Sequence, residues 1–174
     1  MIGVLVGDLN VEHEPLYKWL DEFGIKYGKI RSITYMNKNW TGFILPGHKL
    51  GSPSERYWKW ASQLIEQADT KPILGICEGF YTLMRRELGR NFRPGESYRL
   101  KSAQFNYRGQ SHKHMMAFHK GLLANTKFKE IPTSLPFINT IKHREKPWIG
   151  IAWHPEISSD YYRAKIAKLV KSWV

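Results

Sequence analysis

The strongest constraint on the fold is an alternation of short apolar runs with amphipathic helical segments. The apolar runs are Met1–Gly7, Thr41–Leu45, Ile73–Cys77 and Trp148–Trp153, and none of them carries a charge. Short uncharged runs of this kind are typical of strands buried on both faces. When helices separate such strands, they assemble into a parallel sheet covered by helices on each side. The sequence therefore predicts a doubly wound α/β fold with a mostly parallel sheet.

The helical segments are predicted from apolar residues that recur at helical spacing. They are Asn10–Gly24, Ser52–Asp69, Glu78–Leu88 and Asp160–Trp173. The apolar face of the last of these is predicted to hold Tyr161, Ile166, Leu169 and Val170. Further strands are predicted at Tyr27–Thr34, Ser102–Tyr107 and Phe137–His143.

Length and composition limit the class of protein. A chain of 174 residues suits one domain, here predicted to span residues 1–174. No apolar run approaches the roughly 20 residues of a membrane span, and the start of the chain does not resemble a signal peptide. A single cysteine excludes an intramolecular disulfide and a multi-cysteine metal site. These features together predict a cytoplasmic protein.

The net charge of +12, from 27 Lys and Arg against 15 Asp and Glu, is high for a chain of this length. A basic and aromatic-rich protein can bind nucleic acid, an anionic substrate or an acidic partner protein. The same charge also fits a merely solvated basic surface. The densest basic stretch is Arg85–Lys146.

A nucleophile, Cys77, is predicted in the turn Gly75-Ile76-Cys77-Glu78-Gly79, which lies between a predicted strand and a predicted helix. Glycines two positions before and two after a nucleophile permit a sharp strand-to-helix turn that presents its side chain above the sheet edge. The helix N-terminus that follows favours the thiolate form of a cysteine. A buried, inert cysteine is the alternative, and the paired glycines argue against it.

A base for this cysteine is predicted in His154-Pro155-Glu156, which follows the last predicted strand. The carboxyl ends of parallel strands gather side chains in one crevice, so His154 is expected to reach Cys77. Glu156 is then placed to fix the tautomer of the imidazole.

A third segment, Leu45-Pro46-Gly47-His48, follows another strand. Its backbone N–H groups, from Gly47 onwards, are expected at the same sheet edge. Together with the N–H of Glu78 they can form an oxyanion hole.

Taken together, FILPGH, PILGICEGF and IGIAWHPE resemble the class I glutamine amidotransferases, in which Leu-Pro-Gly-Gly, Gly-x-Cys-x-Gly and His-Pro-Glu occur in this order. The resemblance spans nearly the whole chain, and Arg90–Lys146 is the part least like the family. It implies a flavodoxin-like, three-layer sandwich. It also implies hydrolysis of L-glutamine to glutamate and ammonia. No cofactor is predicted.

The resemblance assigns a role to each of these residues. Cys77 would attack the side-chain amide, His154 would move the proton and Glu156 would orient His154. The backbone N–H groups of His48 and Glu78 would hold the oxyanion. The ammonia would pass to a separate synthetase subunit, since the chain has no such domain.

Two positions depart from the family pattern. Tyr81 stands where many members have a substrate-holding glutamine, and His48 replaces a second glycine. The opening IGVLVGDLNVEHE resembles the glutaminase subunits of pyridoxal 5′-phosphate synthase, which also lack that glutamine, but the subfamily stays open. The departures leave two alternatives, a cysteine hydrolase of another γ-glutamyl or amide compound and a catalytically silent binding or regulatory member.

A cluster of three histidines, His112, His114 and His119, could suggest a metal. No carboxylate lies near them at helical spacing and the chain has no second cysteine, so no metal site is predicted. Glutamine is small and zwitterionic, so its hydrolysis does not require a strongly basic protein. The basic stretch Arg85–Lys146, which overlaps the part least like the family, is therefore predicted to be a partner-docking or anion-facing surface, with a merely solvated basic surface as the alternative. Nucleic acid remains an alternative ligand that the motifs do not favour.

Overall fold

The protein is organised around a seven-stranded sheet, described here from a computed structural model. The structure describes residues 1–6, 13–33, 39–47, 55–88, 99–100, 103–107, 110–114, 117–118, 123, 126–131, 140–158 and 160–174. The strands are β1 Ile2–Leu5, β2 Tyr27–Ile30, β3 Gly42–Leu45, β4 Ile73–Ile76, β5 Arg99–Leu100, β6 Ala103–Tyr107, β7 Gln110–His114, β8 Ala117–Phe118, β9 Phe128–Glu130, β10 Thr140–His143 and β11 Trp148–Ile151. The helices are α1 Glu14–Glu22, α2 Glu55–Ala68, α3 Glu78–Leu88 and α4 Asp160–Lys171, with a 3₁₀ helix at Pro155–Ile157.

The order of strands in the main sheet is β2-β1-β3-β4-β11-β10-β9. The first five are parallel to one another, whereas β10 and β9 run antiparallel at one edge. The parallel part has the order of a flavodoxin-like sheet. The remaining strands form two small antiparallel pairs, β5 with β8 and β6 with β7. The predicted doubly wound α/β fold with a mostly parallel sheet is confirmed.

Helices cover both faces of the sheet and create two separate cores. One core joins α2 and α3 to one face, and the other joins α1 and α4 to the opposite face. Strand β3 shows the division, because Phe43 and Leu45 belong to the first core and Ile44 to the second. This alternation follows from the period of two in a strand, and it accounts for uncharged runs that are buried throughout.

Most predicted elements are present, with shorter bounds. Helix α3 has the predicted bounds. Among the described residues, the strands stop short of some predicted ends, as at Val6, Thr41 and Trp153. Other predicted ends lie outside the described residues, namely Gly7, Asn10, Thr34, Ser52, Ser102 and Phe137. The prediction for α4 was wrong in one respect, because Tyr161 is 68% exposed and Arg163 is buried instead. Arg163 forms an ion pair with Glu22 of α1, and such a pair allows the long side chain to be buried.

The described helices are short or polar relative to what a bilayer requires. None of them is long and apolar enough to cross a membrane.

Candidate active site

The predicted functional segments meet at one edge of the sheet, where three neighbouring parallel strands end. Strand β3 leads to Gly47, β4 to Cys77 and β11 to His154. The register pairs Leu45 with Gly75, and Ile76 with Ile151. The three strands therefore end at similar heights, and the segments that follow them start side by side.

The chain turns sharply at Cys77, whose φ angle is +53°. Among the described residues it is the one non-glycine residue with a positive φ, a conformation that costs L-residues roughly 1–2 kcal/mol. The backbone N–H of Cys77 donates a hydrogen bond to the carbonyl of Ile151, 2.8 Å away. The neighbouring strand thus holds the turn in place and keeps the cysteine at the N-terminus of α3.

The two glycines around Cys77 allow this turn because the backbone is crowded there. A Cβ atom on Gly79 would lie 1.9 Å from the carbonyl oxygen of Leu45, and one on Gly75 would lie 2.5 Å from the carbonyl oxygen of Gly79. Real Cβ atoms do not approach so closely. The absence of side chains lets the first turn of α3 pack directly on the ends of β3 and β4.

His154 and Glu156 follow β11, which neighbours β4 on the side away from β3. They lie at the start of the 3₁₀ helix. The Nδ1 atom of His154 is 2.5 Å from Oε1 of Glu156, and both side chains are largely buried. Ser158 donates a hydrogen bond from Oγ to the carbonyl of His154 at 2.8 Å, which closes the turn. Because Nδ1 contacts the Glu156 carboxylate, the hydrogen bond between His154 and the Cys77 side chain is made on the Nε2 side of the ring.

Gly47 packs against both members of the proposed nucleophile–base pair. A Cβ atom added to it would lie 2.8 Å from Cβ of Cys77, 2.8 Å from Cε1 of His154 and 3.2 Å from Nε2 of His154. The segment after β3 therefore runs directly beside the thiol and the imidazole. Only glycine fits at this position without displacing one of them.

The ionisation of His154 depends on its neighbours. Burial, the largest single effect, lowers its pKa, but the Glu156 carboxylate and a hydrogen bond with the Cys77 thiol outweigh it and raise the pKa to about 10. Since the unfolded value is near 6.5, the protonated form is favoured in the folded protein. Protonation of His154 therefore stabilises the folded protein. This stabilisation is complete below pH 6.5 and is lost as the pH rises through about 10.

We expect the Glu156→Gln substitution to lower the pKa of His154 by about 1 to 3 units, because the neutral amide no longer offsets burial. NMR titration of the imidazole in the wild type and the variant measures this shift. Glu145→Gln is the matched control, since that exposed carboxylate lies beside Lys127 and should leave His154 unchanged. An unaltered His154 titration in Glu156→Gln would contradict the pairing.

The other predicted site residues are Glu78, Tyr81 and His48. Glu78 is the first residue of α3, where N–H groups point out of a helix. Tyr81 follows one turn later, and its ring packs edge-on against Trp58 with 5.8 Å between centroids. His48 lies outside the described residues, so its part in an oxyanion hole remains a prediction.

The histidine cluster does not form a described site. The backbone of His112 and His114 lies in β7, while their side chains and the whole of His119 lie outside the described residues. Across the described part of the chain, no group of His, Cys, Asp or Glu is arranged to hold a metal ion.

One residue near the site was not predicted from the sequence. His13, just before α1, is buried with 6% of its surface exposed, and its pKa responds to the charges of Glu156 and His154. Strand β1 ends at the same sheet edge as β3, β4 and β11. His13 lies on the connection from β1 to α1. His13 belongs to the segment IGVLVGDLNVEHE, whose resemblance to one glutaminase subfamily assigned it no role.

The chain is similar to known proteins both in sequence and in fold. Residues 25–170 match the family described as Glutamine amidotransferase class-I. A solved structure from Thermoplasma acidophilum, provisionally described as the A subunit of a GMP synthase, superposes with a TM-score of 0.65 at 15% sequence identity. The superposition covers 99% of this chain and 95% of that one. No protein of curated function matches the sequence.

Proposed function

Because the chain belongs to the class-I glutamine amidotransferase family, we propose that it hydrolyses L-glutamine to glutamate and ammonia. The observation that carries the proposal is the buried grouping of Cys77, His154 and Glu156 at the strand ends. A thiol on a strained turn, paired with an imidazole that a carboxylate orients, is the arrangement of an activated nucleophile.

The first half of the reaction uses the ion pair that the raised pKa of His154 favours. The Cys77 thiolate forms a bond to the side-chain carbonyl carbon of glutamine. Backbone N–H groups of Glu78 and of the segment that begins at Gly47 donate hydrogen bonds to the developing oxyanion. His154 gives its proton to the amide nitrogen, the C–N bond breaks and ammonia leaves.

The second half restores the enzyme. A water molecule attacks the thioester carbon while His154 removes one of its protons. The bond between carbon and sulfur breaks, glutamate leaves and Cys77 again forms the pair with protonated His154. Glu156 holds the imidazole in one orientation throughout. Tyr81, in the first turns of α3, is proposed to contact the substrate.

We further propose that the ammonia is used by a separate synthetase subunit in the cytoplasm. The structural neighbour is itself described as a subunit, which agrees with such a partner. Part of the basic stretch Arg85–Lys146 is neutralised within the chain, because Arg86 pairs with Glu66 and Lys146 with Asp69. The remaining charge of this stretch is the proposed contact for the partner.

The test measures glutamate and ammonia from L-glutamine, with L-asparagine and a γ-glutamyl amide as competing substrates. We expect both products in equal amounts from glutamine. The control is protein treated with iodoacetamide, which blocks the one thiol of the chain.

Three outcomes separate the hypotheses. Thiol-dependent release from glutamine supports the glutaminase. Release from the γ-glutamyl amide alone supports the alternative hydrolase. No release from any substrate, with or without an added synthetase subunit, would indicate a silent binding member.

A further inference from the structure

The Glu156 carboxylate is held at only one of its two oxygens. Its Oε1 atom contacts Nδ1 of His154 at 2.5 Å, but Oε2 is buried and has no hydrogen-bond partner among the described residues. Leaving a buried carboxylate oxygen unsatisfied is costly. A carboxylate fixed at one oxygen is also free to rotate about that contact, which would loosen its hold on the imidazole.

His13 is the candidate for a partner of this oxygen. It precedes α1, and α1 packs against the 3₁₀ helix that carries Glu156. The residue is only 6% exposed, and its imidazole lies within electrostatic reach of both Glu156 and His154. The Glu156 carboxylate therefore acts electrostatically on two imidazoles, although the reaction as proposed uses only one of them.

The charges around His13 favour a neutral imidazole. Burial lowers its pKa, the Glu156 carboxylate opposes this, and His154 and Lys29 lower it further. The ring also stands edge-on to Tyr17, with 6.2 Å between centroids. A neutral imidazole carries one N–H that it can donate, and a carboxylate is the strongest acceptor within reach.

We propose that His13 is a positioning residue that donates a hydrogen bond to Oε2 of Glu156 through one water molecule, and so holds the carboxylate against His154. His13 does not touch the substrate. It acts on Cys77 through Glu156 and His154, because a firmly held carboxylate stabilises the imidazolium, and the imidazolium stabilises the thiolate.

Two substitutions of similar volume test this role. His13→Gln keeps an N–H donor, whereas His13→Met fills the space without one. The first measurement is the rate at which iodoacetamide alkylates Cys77 as a function of pH, read from the intact mass. Only the thiolate reacts, and no other thiol is present. The second measurement is kcat and KM for glutamine.

In His13→Met we expect the midpoint of the alkylation profile to rise by about one pH unit and kcat to fall about tenfold, with KM nearly unchanged. His13→Gln should restore both towards the wild type. The control is His143→Met, because His143 is equally buried but lies at the far end of β10. That variant should lose stability without a shift in the profile.

The proposal is overturned if His13→Met lowers the melting temperature as His143→Met does and leaves the alkylation profile unchanged. It is also overturned if the Gln and Met variants behave alike. The kinetic readout rests on the proposed function, but alkylation does not need glutamine. A shifted profile in a protein that releases no glutamate would contradict the glutaminase and support His13 as the positioning residue.

Discussion

The Cys77→Ala substitution is expected to reduce glutamate release by about 10⁶-fold, to the level of the uncatalysed reaction assisted by binding alone. The proposed thioester needs a nucleophile, and the chain has no second cysteine to replace it. The Cys77→Gly substitution should abolish activity equally. Steady-state assays of both variants, with the wild type at matched concentration, measure the loss. Cysteine-independent release above one part in a thousand of the wild-type rate would contradict covalent catalysis.

The same pair of variants measures the strain at the turn. Residue 77 has a positive φ of 53°, which glycine adopts freely and alanine does not. We expect Cys77→Gly to be more stable than Cys77→Ala by about 1 kcal/mol, in thermal or denaturant unfolding.

An alanine in ordinary helical conformation gives the control for this comparison. Ala61 is buried in α2, and glycine there should lower stability by about 1 kcal/mol. The effect of an alanine-to-glycine change therefore has opposite signs at the two positions. The same sign at both would show that the turn stores no strain.

The sequence predicts the local structure around Cys77 where short-range geometry dictates it. The bounds of α3 and the turn at Cys77 follow from a short strand, two glycines and a helical pattern. Each of these features acts within about ten residues of chain. The meeting of Cys77 with His154 follows from a topological rule, because the ends of parallel strands lie at one edge.

The features that were not predicted depend on contacts far apart in the chain. The burial of Arg163 requires Glu22 on another helix, so its charge alone predicts an exposed position and makes Tyr161 the better candidate for the core. His13 has a place near the site only because α1 packs on the 3₁₀ helix. The antiparallel edge strand β9, of three residues, is too short to give a periodic pattern.

The Gly79→Ala substitution should lower the free energy of unfolding more than the substitutions at Cys77 and Ala61, and it should also lower activity. A methyl group at this position would lie 1.9 Å from the carbonyl oxygen of Leu45, the last residue of β3, which has a neighbouring strand on each side. Neither backbone can yield easily, so α3 must move away from β3. We expect unfolding to become easier by about 3 kcal/mol, which lowers the melting temperature by roughly 6–12 °C.

Moving α3 also changes the proposed chemistry, because Cys77 lies at its N-terminus and the N–H of Glu78 is its first donor. A displacement of about 1 Å in a catalytic group can cost about 100-fold in rate, so we expect kcat to fall by that factor in the fraction that remains folded. Thermal unfolding and single-turnover assays at low temperature separate the two effects.

Gly28→Ala provides the matched control on the same sheet. It lies in β2, and the nearest atoms to an added Cβ are Cε of Met1 and Cζ2 of Trp40, both at 3.7 Å, which is an ordinary contact distance. That variant should stay within about 0.5 kcal/mol of the wild type and keep full activity. Equal melting temperatures for the two variants would mean that α3 shifts without cost, and the close packing of Gly79 on Leu45 would then not be what fixes the position of Cys77.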